Sequence, residues 1–150
     1  MATSSISAET ALQIKRVIKA RREKVFQAWT DPEQMKHWCA PTDDFKTAAE
    51  IDLRVGGKYR IQMTDPSGSL HIAVGEYKEI VPPGKLIFTW SWEDGQAENT
   101  LVTLEFRDQG GSTEVTLTHE RFPSTESRDK HQQGWSGCLS RLERLLQGIA

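Results

Sequence analysis

From Lys46 to His119 apolar residues return at every second position, strand after strand. From Ser124 onward they return about every 3.6 residues. That change of period constrains the fold more than any short motif does. Tyr59, Ile61 and Met63 alternate with Arg60 and Gln62, and Leu86, Phe88, Trp90 and Trp92 share one face against Ile87, Thr89 and Ser91. Val102, Leu104 and Phe106 follow, then Val115, Leu117 and His119. Gly56-Gly57, Asp65-Pro66-Ser67-Gly68, Val81-Pro82-Pro83-Gly84 and Gly110-Gly111 supply the turns between them. Strands joined in order by short turns make an antiparallel sheet that buries one face. Two places are irregular. Ile51, Leu53 and Val55 alternate with Asp52 and Arg54, which predicts a strand running up to Gly56. Leu70, Ile72 and Val74 share one parity and Tyr77 takes the other, which predicts a bulge between Gly75 and Glu79.

In the last segment His131, Trp135, Leu139, Leu142, Leu146 and Ile149 form one helical stripe, flanked by Cys138 and Leu145, with Gly137, Arg141 and Arg144 opposite. A helix of about 25 residues is about 37 Å long, enough to cross the face of a sheet. Upstream of the sheet, Leu12, Ile14, Arg16 and Ile18 read as a first strand, and Val25, Phe26 and Trp29 mark a short helix. Asp31-Pro32-Glu33-Gln34 then opens a second helix, with Asp as N-cap and Pro at the first helical position. Met35 and Trp38 share its buried face, and Pro41 is its predicted stop. The expected fold is α+β: a curved antiparallel sheet of six or seven strands, two short helices after the first strand, and a long C-terminal helix. Residues 1–10 are expected to be a flexible N-terminus and residues 11–150 a single domain.

Charge and cysteine usage narrow the partners. The 150 residues carry 19 basic and 21 acidic side chains, a formal net charge of −2, which gives no electrostatic footprint for nucleic acid. The densest basic cluster, Lys15, Arg16, Lys19, Arg21, Arg22 and Lys24, reads as a solvated face. Cys39 and Cys138 lie far apart and form no pair motif, which suits a reducing, cytoplasmic setting. No apolar run reaches the ~18 residues of a spanning helix, and the first nine residues have no signal-peptide core, so no membrane association is expected.

Several runs resemble a known family. Val25-Phe26-Gln27-Ala28-Trp29-Thr30-Asp31-Pro32, Trp38 to Pro41, and Asp52-Leu53-Arg54-Val55-Gly56-Gly57-Lys58-Tyr59-Arg60 come first. Pro82-Pro83 leading to Leu86, Thr89-Trp90-Ser91-Trp92, Thr118-His119, and His131 followed by Gly134-Trp135 complete the set. In order and spacing they are similar to homologues of the heat-shock-protein-90 ATPase activator, within the birch-pollen-allergen and START-related superfamily. The resemblance spans about residues 12 to 147. It implies a helix-grip fold, in which the sheet wraps around the long helix and leaves a cavity for a small apolar or amphipathic molecule. Two positions depart from the family pattern: Arg21 stands where a proline is usual, and Cys39-Ala40 where an aromatic and a glycine are usual. The full activator also has a separate N-terminal domain, for which this chain has no room. Direct stimulation of the chaperone ATPase is therefore not expected.

Within that frame the inward rows and the helix stripe nominate cavity residues: Phe88, Trp90, Trp92, Leu104, Leu117, His119, His131, Gly134, Trp135 and Cys138. His119 and His131 have two readings, as buried hydrogen-bonded core residues or as polar handles in an apolar site. Arg16 likewise either finds a partner within an apolar row or points into the cavity toward an anionic group. The histidines show no metal-ligand spacing, so no metal and no cofactor are expected. Ser136 and Ser140 lack a nucleophile-elbow context, Cys138 lacks a nearby base, and the glycine pairs open no helix. No catalytic residue is assigned. A ligand-binding module, an enzyme of the same fold acting on a cyclic or aromatic substrate, and a chaperone-binding module remain as three alternatives.

Overall fold

The computed structural model describes residues 9–93 and 99–148. The predicted N-terminal tail, except for residues 9 and 10, and Ile149 of the helix stripe lie outside them. Seven strands form one antiparallel sheet in the order β1-β7-β6-β5-β4-β3-β2. β1 (Ala11–Ile18) is followed by the short helices α1 (Arg22–Thr30) and α2 (Pro32–Met35). The meander runs through β2 (Lys46–Ile51), β3 (Lys58–Thr64), β4 (Leu70–Val81), β5 (Lys85–Trp92), β6 (Thr100–Asp108) and β7 (Thr113–Glu120). The chain then enters the long helix α3 (Thr125–Gln147).

Register explains which residues form the core. Leu12, His119, Val102, Phe88 and Tyr77 lie abreast across five strands. The next inward row is Ile14, Leu117, Leu104, Leu86 and Ile80. Tyr77 and Ile80 are three apart, an odd step that puts two residues on one face only if the strand slips, and the register of β4 does shift between Tyr77 and Glu79. The bulge falls within the expected span from Gly75 to Glu79, but its effect on the upstream half is different. Ala73 and Tyr77 face inward, while Leu70, of the opposite parity, is 56% exposed. β2 is also shorter than its alternation predicts. After Ile51 the chain turns back on itself through Gly57 N–H bonded to Arg54 O, and Leu53 and Val55 are exposed at 43% and 63%. The Arg54–Asp52 pair, at 2.9 Å, lies on this turn and not on a strand.

Asp31 caps α2 by accepting from the Glu33 N–H at 2.9 Å. The helix ends at Met35, and a tighter turn carries the chain on, with Trp38 N–H bonded to Met35 O, so Pro41 is not its terminus. Trp38 is fully buried and donates its Nε1–H to Ala28 O at 3.0 Å. This ties the two short helices together over the sheet, where Phe26 meets Phe106 edge-on at 5.8 Å.

Ser124 opens α3 by accepting from the Ser127 N–H. Trp135, Cys138, Leu139, Leu142 and Leu146 are buried, whereas Leu145 is exposed. The face opposite the stripe carries a contact of its own. A Cβ on Gly137 would strike the Pro41 backbone, so α3 lies directly against the 37–43 loop there. Arg141 reaches the carbonyls of His37, Trp38 and Ala40 at 3.2–3.4 Å and Asp43 at 3.0 Å. Arg16 faces the same helix from β1, bonded to Ser140 Oγ at 3.0 Å and 3.5 Å from Glu143.

Candidate ligand cavity

A cavity of about 520 Å³ opens between the N-terminal half of α3 and strands β3 to β5. The sheet supplies Met63 from β3, His71 from β4 and Trp90 and Trp92 from β5. The loop after α2 supplies Cys39, Pro41 and Phe45. The helix supplies Gly134, Trp135 and Cys138 deep in the wall, with His131, Lys130, Ser127 and Glu126 nearer its start, and Ser124 as its cap. Gly134 matters for the volume, since a Cβ there would meet nothing within 4 Å.

Six of the residues nominated from sequence line this space: Trp90, Trp92, His131, Gly134, Trp135 and Cys138. Leu104, Leu117 and His119 do not: all three are fully buried in the inward rows of β6 and β7, and His119 is covered by Trp135, His131 and Phe122. Phe88 borders only a small inner void. Arg16 is held on the flank of α3 by Ser140 and Glu143 and lines no part of the cavity. Sequence reasoning missed Cys39, Pro41, Phe45, His71 and the helix start. Met63 stood in a recognised inward row without being assigned to the cavity.

Both histidines nominated as handles are fixed by hydrogen bonds. His131 Nε2 accepts from Trp92 Nε1 at 3.1 Å, and its Nδ1 lies 2.8 Å from Ser127 O, so Nδ1 carries the hydrogen. His119 Nδ1 accepts from Trp135 Nε1 at 2.9 Å, and its Nε2 lies 2.7 Å from Thr100 Oγ1. That hydroxyl donates to Trp90 O at 2.7 Å, which leaves it to accept from His119 Nε2–H. These bonds fix each imidazole in one tautomer. Burial, and secondarily the neighbouring His131, push the His119 pKa well below its ordinary value.

Ionised groups stand at the rim. Glu126 pairs with Lys130 at 3.5 Å, and both are largely exposed. His71 meets Asp65 at 2.8 Å, and the Ser67 hydroxyl followed by His71 hold that carboxyl well below the usual range. Inside, the neighbouring Cys39 thiol and then burial raise the Cys138 thiol. Among the described residues no group of three or more His, Cys, Asp or Glu side chains is placed to hold a metal. The arrangement is an apolar, aromatic and sulfur-lined chamber whose buried polar atoms are mostly paired with one another, which suits binding better than proton transfer.

The family model for activator of Hsp90 ATPase homolog 1-like protein matches residues 19–147. The chain belongs to this family. It is 26% identical over 128 residues to the human activator of 90 kDa heat shock protein ATPase homolog 1, and 25% identical to the mouse protein. That alignment covers 83% of this chain and 33% of each relative, so the chain spans about one third of their length. Among solved structures, a Nitrosomonas europaea protein superposes with a TM-score of 0.81 at 25% identity, covering 95% of this chain and 97% of that one. An AHSA1-like protein from Aeromonas hydrophila has a TM-score of 0.74 at 25% identity, covering 93% and 96%. In this family member the two departures from the usual pattern have different consequences. Arg21 is exposed at the start of α1, away from the cavity, whereas Cys39 is part of the cavity wall. No helix among the described residues is long and apolar enough to cross a membrane.

Proposed function

We propose that this member of the activator-homologue family binds a small apolar or amphipathic organic molecule in the chamber between α3, the 39–45 loop and strands β3 to β5. One observation carries the reading: about 520 Å³ of space walled by Trp90, Trp92, Trp135, Phe45, Met63 and two thiols, within the size range of small-molecule sites. Two thiols left free and buried also suit a reducing, cytoplasmic setting. Titration with the uncharged fluorophore N-phenyl-1-naphthylamine tests the reading. Saturable binding near one-to-one, with quenching of tryptophan emission, is expected. Absence of saturable binding overturns it. Native mass spectrometry of freshly purified protein then identifies any retained molecule by mass.

The curated relatives favour a second reading, docking to a heat-shock chaperone. A coupled ATPase assay of the 90 kDa chaperone with this chain at micromolar concentration decides it. Saturable several-fold stimulation supports docking, and an unchanged rate rejects activation by this chain.

A further inference from the structure

The five tryptophans divide into two groups. Trp38, Trp92 and Trp135 each donate their indole N–H, to Ala28 O, His131 Nε2 and His119 Nδ1. Trp29 and Trp90 are as deeply buried, at 3% and 5% exposure, yet neither Nε1 has a hydrogen-bond partner. A buried donor left unpaired is costly, and native interiors pair nearly all of them.

The two residues share a location. Trp29 and Trp90 both border a small void of about 10 Å³, on the scale of a single water-sized group. That void adjoins the large cavity through Cys39, Trp90 and Trp135, which line both. The Trp135 ring packs beside both, 5.8 Å from the Trp29 ring and 4.9 Å from that of Trp90. No charged side chain lines the inner void, and the Tyr59 hydroxyl beside it is already spent on Thr89 O at 2.5 Å. An ionised ligand group would enter without a counter-charge, at high desolvation cost.

We infer that the inner end of the cavity is a recognition point for an uncharged oxygen acceptor, so that the ligand is an apolar, ring-sized body carrying a carbonyl group that takes the N–H of Trp90, Trp29 or both. The inference rests on the binding reading above and adds the chemical group that distinguishes a cognate ligand from any greasy one.

A matched pair of fluorophores tests it: 6-propionyl-2-(dimethylamino)naphthalene, a ketone, and its 6-propyl counterpart, which lacks only the carbonyl oxygen. An apolar wall with no donor would favour the propyl compound, because an unpaired carbonyl loses its water on entry. A donor-bearing site reverses that order, and the ketone is expected to bind about fivefold more tightly or better. Trp90→Phe and Trp29→Phe keep an aromatic ring while removing the N–H. With both substitutions the preference should fall to parity or invert. Equal or weaker binding of the ketone by the native protein overturns the acceptor inference and leaves the cavity reading standing. Failure of both fluorophores to bind overturns the two together. If the substituted proteins do not fold by circular dichroism, the native protein's order of preference decides alone.

Discussion

His119 has no nitrogen to spare, since Trp135 donates to one and Thr100 receives from the other. The groups facing it are Thr100, Trp135, Trp90, Phe122 and the second imidazole, His131. Its pKa in the folded chain lies well below the value near 6.5 of an unfolded histidine. Below about pH 6.5 the unfolded chain therefore binds the extra proton, and stability falls as pH drops, by up to about 1.4 kcal/mol per pH unit. A urea midpoint measured between pH 7.5 and 5 should decline, and the decline should be shallower in His119→Gln. Identical slopes in the two proteins would show that another group titrates. The thiols behave as inert wall. With Cys138 raised by its neighbour and by burial, the native protein should react with iodoacetamide at pH 8 at least about tenfold more slowly than in urea. Equal rates would place the thiols in solvent.

The helix α3 holds two glycines, three residues apart, that do opposite things. A side chain at position 134 enters open space, and one at 137 collides with the Pro41 backbone. Gly134→Ala should be stabilising by up to about 1 kcal/mol through helix propensity alone. Gly137→Ala should cost about 1–3 kcal/mol by forcing helix and loop apart. Similar urea midpoints for the two variants would refute the contrast. Gly134→Leu should remain folded yet weaken N-phenyl-1-naphthylamine binding, and unchanged affinity would move the site elsewhere. Much of this was readable in advance. The 3.6 period located Trp135, Leu139 and Leu142, and the parity of β5, β6 and β7 located their inward rows. What periodicity misses is any contact made by backbone or charge. The Gly137–Pro41 approach and the Arg141 bonds leave no apolar mark, so that face read only as the one opposite the stripe. The cavity was half legible for a related reason. Phe45, Pro41 and the polar start of α3 belong to no stripe, and only the tertiary fold gathers them around the tryptophans. Leu104 and Leu117 erred the other way, since alternation tells inward from outward but not filled from unfilled.

At the scale of the molecule, α3 is divided along its length. Its C-terminal half fills the core with Leu139, Leu142 and Leu146, and its N-terminal half, bonded to the sheet through Trp135 and His131, walls the chamber. The Arg141 clamp joins the two regions, because its carbonyl bonds fix the loop that carries Cys39 and Pro41. Arg141→Lys offers one ammonium for the work of a planar fork, so a loss of about 1–3 kcal/mol and faster hydrogen exchange across residues 37–43 are expected. An unaltered exchange pattern would remove the clamp from the account. The longitudinal division of α3 also bears on how such a chain diverges. Phe45, His71, Ser127 and Lys130 touch the chamber but lie outside the buried core, so substitutions among them reshape the chamber while the packed leucines are spared. Chamber and core meet only in Cys39, Met63, Trp90, Trp135 and Cys138, so the rim can vary in sequence at little cost to the packed interior while those five answer to both.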